Sequence, residues 1–93
     1  MKIFKYRVPI NKMFPIDLPE DSIILDFQSQ DNELFIWCMI DEDNKIEKRL
    51  FSVYTTGEEI EPPINYGYRY IGTAQDKGFS MVFVWHLFEI KEV

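Results

Sequence analysis

Residues 79–90 read FSMVFVWHLFEI. The run is too short for a membrane-spanning helix, which needs about 20 apolar residues. It is also too apolar in both phases for a strand with one wet face. Extended, it sets Val82, Val84, His86 and Phe88 on one side and Phe83, Trp85 and Leu87 on the other. ELFIWCMID at 33–41 has the same character, with Leu34, Ile36, Cys38 and Ile40 against Phe35, Trp37 and Met39. Two central strands that are apolar on both faces imply an antiparallel β domain with more apolar sheet than a small chain easily covers. Either the sheet curls tightly around its own core, or a second copy or a partner covers the outer side. In the second case Phe35, Trp37, Met39, Phe83 and Trp85 are the candidate interface residues, because aromatic side chains bury much area with few rotors.

The rest of the chain also reads as strands. In KIFKYRV at 2–8, Phe4, Tyr6 and Val8 alternate with Lys5 and Arg7, the period-two pattern of a half-buried strand. Phe14 to Leu18, interrupted by Pro15, suits a short edge piece where a missing N–H does no harm. SIILDFQSQ at 22–30 sets Ile23, Leu25 and Phe27 on one face and Asp26 and Gln28 on the other. EKRLFSVYTT at 47–56 and YRYIGTAQ at 68–75 are further strands, and Asp31-Asn32, DEDNK at 41–45 and DKG at 76–78 are turns. GEEIEPPINYG at 57–67 reads as an irregular loop, with room for a short helical turn at 57–61. The expectation is a single domain over residues 1–93: mostly β, one antiparallel meander of about six strands forming a small sandwich or open barrel.

Composition narrows the function classes. Sixteen acidic against ten basic residues leave a net charge of −6, which disfavours direct nucleic-acid binding and attraction to anionic membranes. The charge is uneven. Residues 1–12 carry Lys2, Lys5, Arg7 and Lys12 and no acid, while residues 17–61 carry 13 acids against Lys45, Lys48 and Arg49. The lone Cys38 permits no internal disulfide, which suits a reducing cytoplasm. MKIFKYRVPI lacks the apolar centre of a signal peptide.

Motifs for chemistry are sparse. One His and one Cys cannot form a zinc cluster, and the phosphate-binding glycine patterns are absent, so neither metal nor cofactor is expected. Cys38 lies mid-strand in an apolar run that disfavours its thiolate, so no catalytic residue is assigned. DEDNKIE at 41–47 has the first carboxylates of a calcium loop but neither its glycine nor its closing glutamate, and reads as an acidic turn. His86, in phase with valines and Phe88, reads as a hydrogen-bonded core residue. Thr55-Thr56-Gly57 offers amides and hydroxyls to a small anion. The string Tyr66, Tyr68, Arg69, Tyr70 offers rings and a guanidinium to a nucleobase, or is simply an alternating strand. The candidate ligand-binding set is Arg7, Tyr54, Thr55, Thr56, Tyr68 and Arg69.

Four stretches carry a family resemblance: IFKYRVPI, ILDFQSQDNELFIWCMID, VYTTG and YIGTAQDKGFSMVFVWHLFEI. Over nearly the whole chain they resemble a family of small uncharacterised proteins encoded by phages and prophages. The closing motif is the most specific part, carried here by Tyr70, Ile71, Gly72, Thr73 and Gln75 and then Val82, Phe83, His86, Phe88 and Glu89. VYTTG departs from the family's Y-G-T-G loop, and the acidic EEIE at 58–61 stands where the family has HPIP. The resemblance implies a non-enzymatic accessory binding protein in the cytoplasm of a bacterial host. Such a protein would be a homo-oligomer that blocks a host defence protein or sequesters a small nucleotide signal. A minor virion assembly component and an enzyme with a dispersed site are the alternatives.

Overall fold

The computed structural model describes residues 1–61, 66–77 and 82–92. Seven strands follow in order: β1 (Lys2–Val8), β2 (Phe14–Pro19), β3 (Ile23–Gln30), β4 (Glu33–Ile40), β5 (Ile46–Thr55), β6 (Tyr66–Lys77) and β7 (Val82–Glu92). They form two antiparallel sheets, β1-β4-β3 and β2-β5-β7-β6. The expected β class and antiparallel pairing hold, and neither sheet closes into a barrel. The count is seven rather than about six, because Phe14–Pro19 pairs along its whole length with β5 as a true edge strand. The meander is replaced by a more crossed topology: only β3–β4 and β6–β7 are hairpin neighbours, while β1 pairs with β4 and β2 with β5. Residues 57–61 contain no helical turn. Residues 62–65 of the expected loop, Gly78 of the expected DKG turn, and Phe79 to Met81 lie outside the described residues.

Local chemistry explains the turns. Asp31 and Asn32 have φ of 53° and 64°, so the β3–β4 hairpin closes on two left-handed residues of the types that tolerate them. Asp41 accepts the Asp43 amide at 3.0 Å and opens the acidic turn before β5. That turn is tied to the β2–β3 turn by Glu20 N donating to the Lys45 carbonyl at 2.8 Å and by Asn44 Nδ2 donating to the Glu20 carbonyl at 2.9 Å.

One core joins the sheets. Leu34, Ile36, Cys38 and Ile40 from β4 meet Phe14, Ile16 and Leu18 from β2, Phe51 and Val53 from β5, and Leu87 from β7. In β3 the simple alternation fails. The register slips between Ile24 and Asp26, so Ile24 and Phe27 turn inward while Ile23 and Leu25 stay exposed. A bulge inserts one residue and reverses the phase of everything beyond it, which a period-two reading cannot register. Trp85, one of the expected interface residues, is partly buried. It packs against the core from the inner face of β7, with Phe83 stacked on it at 5.9 Å. Phe35, Trp37 and Met39 do lie on the outer side of β4, half-buried.

Among the described residues, Glu89 is the charged side chain that is fully buried. Arg49 donates to both Glu89 oxygens at 2.7 and 2.8 Å, while a third guanidinium hydrogen reaches the Ser22 carbonyl at 2.6 Å. Burial alone pushes the Glu89 carboxyl up. Arg49, by hydrogen bond and charge, with help from Lys91 and Arg69, outweighs this and holds it below the usual carboxylate range. Losing one partner leaves an uncompensated buried charge. Glu89→Gln is therefore expected to cost about 3–5 kcal/mol, read as a fall in the urea midpoint, with much of the loss recovered by Arg49→Met/Glu89→Leu. The folded state binds the Glu89 proton less readily than the unfolded chain does. Its contribution is thus complete above about pH 4.5 and fades as the pH falls below it, and that acid-side loss should flatten in Glu89→Gln.

Candidate aromatic and histidine site

The outer face of the four-stranded sheet carries a cluster of rings. Register builds it: Tyr54 of β5 faces His86 of β7, which faces Thr73 of β6, and in the next row Phe88 faces Tyr70. Phe88 is the hub, with Tyr54, Tyr68 and Tyr70 at ring distances of 5.8, 5.8 and 5.1 Å. Edge-to-face and tilted contacts of this kind suit the ring quadrupoles.

A bulge completes the polar part. The β6–β7 register shifts between Tyr70 and Gly72, with Ile71 the inserted residue. Tyr70 and Thr73, three apart, therefore share the outer face and both meet His86 Nδ1, at 3.0 and 3.1 Å. Tyr70 and Thr73 also hydrogen-bond each other. The same shift turns Gly72 inward, where an added Cβ would sit 3.7 Å from the Phe27 Cβ. On the other side of the imidazole, Nε2 meets Thr56 Oγ1 at 2.7 Å. Both ring nitrogens are thus engaged by hydroxyls, so His86 is half-buried and satisfied, but on the outer face rather than in the core.

The turn after β5 walls the site. Gly57 takes φ of 87°, a left-handed conformation natural to glycine, and brings Glu58 back over the strand end. Glu58 accepts the Thr55 amide at 3.0 Å. That bond, then Lys12, hold its carboxyl below the usual range. The anion position offered by Thr55-Thr56-Gly57 is thus occupied by the chain's own carboxylate. Lys12 comes from the segment between β1 and β2. It lies 4.4 Å above the Tyr54 ring, donates to the Val53 carbonyl at 2.6 Å, and pairs with Glu58 at 3.0 Å. The resulting concavity measures about 400 Å³, within the range of small-molecule sites. Tyr54, Thr56, Glu58, Tyr70, His86 and Phe88 are among the residues that line it.

Of the six expected ligand residues, Tyr54, Thr55 and Thr56 line this concavity and Tyr68 stands behind Phe88. The two arginines are elsewhere. Arg69 alternates to the opposite face of β6, where it faces Glu89, and Arg7 lies on the other sheet, paired with Glu33 at 3.3 Å. Neighbouring residues on a strand point to opposite faces, so a guanidinium between two tyrosines cannot join their stack. The expected ligand set leaves out His86, which the sequence reading placed in the core, and Phe88, Thr73 and Lys12. The first two were legible as the outward phase of β7; Thr73 and Lys12 depend on the bulge and on a contact across 41 residues.

A larger concavity of about 560 Å³ lies over the Arg49–Glu89 pair, but it mixes Lys48, Arg69 and Lys91 with Asp21, Glu47 and Glu92. Among the described residues, no group of three or more His, Cys, Asp or Glu is placed to hold a metal ion, and no helix is long and apolar enough to cross a membrane. Cys38 is fully buried, and burial pushes its thiol up to about 11.

Burial, and then the hydrogen bond to Tyr54, push the Tyr68 phenol up to about 12. The folded state therefore keeps a proton that the unfolded chain releases near pH 10, so this contribution to stability is present below pH 10 and lost as the pH rises toward 12. Tyrosinate absorbance should show one late-ionising phenol, and Tyr54→Phe should bring it earlier.

No curated protein matches this sequence, and no solved structure does. The family model described as "Domain of unknown function (DUF7352)" matches residues 1–93, the whole length of the two-sheet domain that presents the ring cluster. The chain therefore belongs to the DUF7352 family.

Proposed function

We propose that this domain is a stoichiometric binding protein. Its Tyr54–Tyr70–His86–Phe88 face holds a flat, uncharged heterocycle of the nucleobase or nucleoside class. The observation that carries this reading is the convergence of four rings and the Thr56 and Tyr70 hydroxyls around one concavity of about 400 Å³, with Thr73 bonded to His86 beside it. Rings supply a stacking surface for any base, and hydroxyls beside an imidazole supply donors and acceptors for its edge. Among the described residues lining the concavity there is no arginine, and Lys12 is already held by Glu58. The recognised part of a nucleotide is thus its base and sugar rather than its phosphates. The buried, protonated Cys38 supports a binding rather than a catalytic role. In the phage or prophage setting to which the sequence resemblance points, such a protein would draw a nucleotide signal away from a host defence pathway in the cytoplasm.

A second reading has its own observation. The turns at 19–22 and 41–45 are hydrogen-bonded together, which gathers Glu20, Asp21, Asp41, Glu42 and Asp43 at one end of the molecule. Such a patch suits a basic groove on a protein partner.

Melting curves with the common nucleosides and their monophosphates separate the two. A ligand at a hundredfold excess over its Kd stabilises the fold by about 2.7 kcal/mol, a rise of several degrees in Tm. The expected result is a rise with at least one nucleoside, no larger rise with its monophosphate, and loss of both in Tyr70→Ala. No shift with any of them, alongside capture of a basic host protein that Asp41→Lys/Asp43→Lys releases, would replace the first reading with the second.

A further inference from the structure

The outer face of the three-stranded sheet is the part of the surface that neither reading uses. β1 and β3 flank β4 in continuous register, which lays the outward side chains in rows. The first row is Ile3, Met39 and Ile23; the second is Lys5, Trp37 and Asp26; the third is Arg7, Phe35 and Gln28. Ile3 is 60% exposed and Ile23 51%, and the bulged Leu25 adds a third aliphatic group at 46%. Phe35, Trp37 and Met39 between them are half-buried. Contiguous apolar surface rimmed by charge marks an association site rather than a solvated face.

The pattern of charge identifies the occupant. Within these rows the bases Lys5 and Arg7 lie on β1 and the acid Asp26 lies on β3 at the height of Lys5; Arg7 is already paired with Glu33 of β4 at 3.3 Å, and Lys5 also reaches the Gln30 side chain at 2.8 Å. A two-fold axis between two such faces and parallel to β4 carries β1 of one copy over β3 of the other without changing position along the strand. Lys5 then meets Asp26, Ile3 meets Ile23, Arg7 meets the Gln28 amide, and Trp37 meets Trp37. An axis across the strands does the opposite: Lys5 falls on Lys5, Asp26 on Asp26 and Ile3 on Arg7. Isologous contact demands a self-complementary patch, and this face is self-complementary about one axis only. We infer that the protein forms a two-fold homodimer through the outer face of β1-β4-β3, with the axis along β4 and Lys5–Asp26 pairs on either side of Trp37. The ring cluster lies on the outer face of the other sheet, so each copy keeps its concavity open.

Charge exchange tests the inference without touching the core or the ring cluster. Sedimentation equilibrium should find a dimer at micromolar concentration. Lys5→Asp and Asp26→Lys should each weaken it by at least about tenfold, since like charges placed opposite each other across an interface oppose association. The double exchange, Lys5→Asp/Asp26→Lys, should restore the dimer, because the two residues meet across the axis in either order. Ile23→Lys, at an exposed position, should weaken it independently. Far-ultraviolet circular dichroism should be unchanged in all four variants. A monomer at every concentration, a dimer indifferent to the single exchanges and to Ile23→Lys, or a double exchange that fails to restore association would each overturn it.

Discussion

The Arg49–Glu89 pair is the fixed point about which the molecule is arranged. Arg49 spends both edges of its guanidinium, two hydrogens on Glu89 in β7 and one on the Ser22 carbonyl just ahead of β3. One residue of β5 thereby links its neighbour in the four-stranded sheet to the start of a strand in the three-stranded sheet. Ion pairs with little water around them add uncertain net stability, because desolvation offsets much of the attraction. They do punish any arrangement that leaves one partner alone. In the observed stacking Arg49 reaches both acceptors, so these bonds tie the start of β3 in one sheet to β5 and β7 in the other.

Around that point, two bulges assign the faces. In β3 the slip at Leu25 delivers Phe27 to the core and leaves Ile23 and Leu25 in water. In β6 the slip at Ile71 delivers Gly72 against Phe27 and Thr73 to His86. The two meet where the sheets come together: the inward Phe27 of one bulged strand packs on the glycine that the other bulge has turned toward it. A side chain larger than hydrogen at 72 would begin 3.7 Å from Phe27. The close approach of β3 and β6 and the composition of the ring site thus share one cause.

The sandwich leaves two outer faces directed away from each other, and they differ in character. The face of β1-β4-β3 is aliphatic and aromatic with charge at its margins, the composition of an interface centre with its rim. The face of β5, β6 and β7 carries rings interleaved with hydroxyls and one imidazole, a surface able to orient a polar heterocycle. The proposed dimer contact and the proposed ligand site therefore share no residues. Both long apolar strands carry bulky residues in both phases, one phase in the core and the other on an outer face.

The β class, the position of most strands, the two-residue hairpin at Asp31-Asn32 and the inward phase of β4 were set by sequence alone. Alternation and turn residues act over a few positions, and the backbone obeys them locally. Tyr54, Thr55 and Thr56 were likewise legible as neighbours on one surface, since they stand consecutively where a strand ends, and they line the concavity. Three things were decided only in the folded molecule. Trp85 packs against the core because stacking the sheets gave it an inner partner surface. The arginines separated from the tyrosines because strand parity sends adjacent side chains to opposite faces. His86 acquired Thr56, Tyr70 and Thr73 because a bulge and a turn on different elements met at one imidazole. Those outcomes depend on register between distant strands. Register is set by the fit of the whole core and by the Arg49–Glu89 pair, and no short window of sequence contains it.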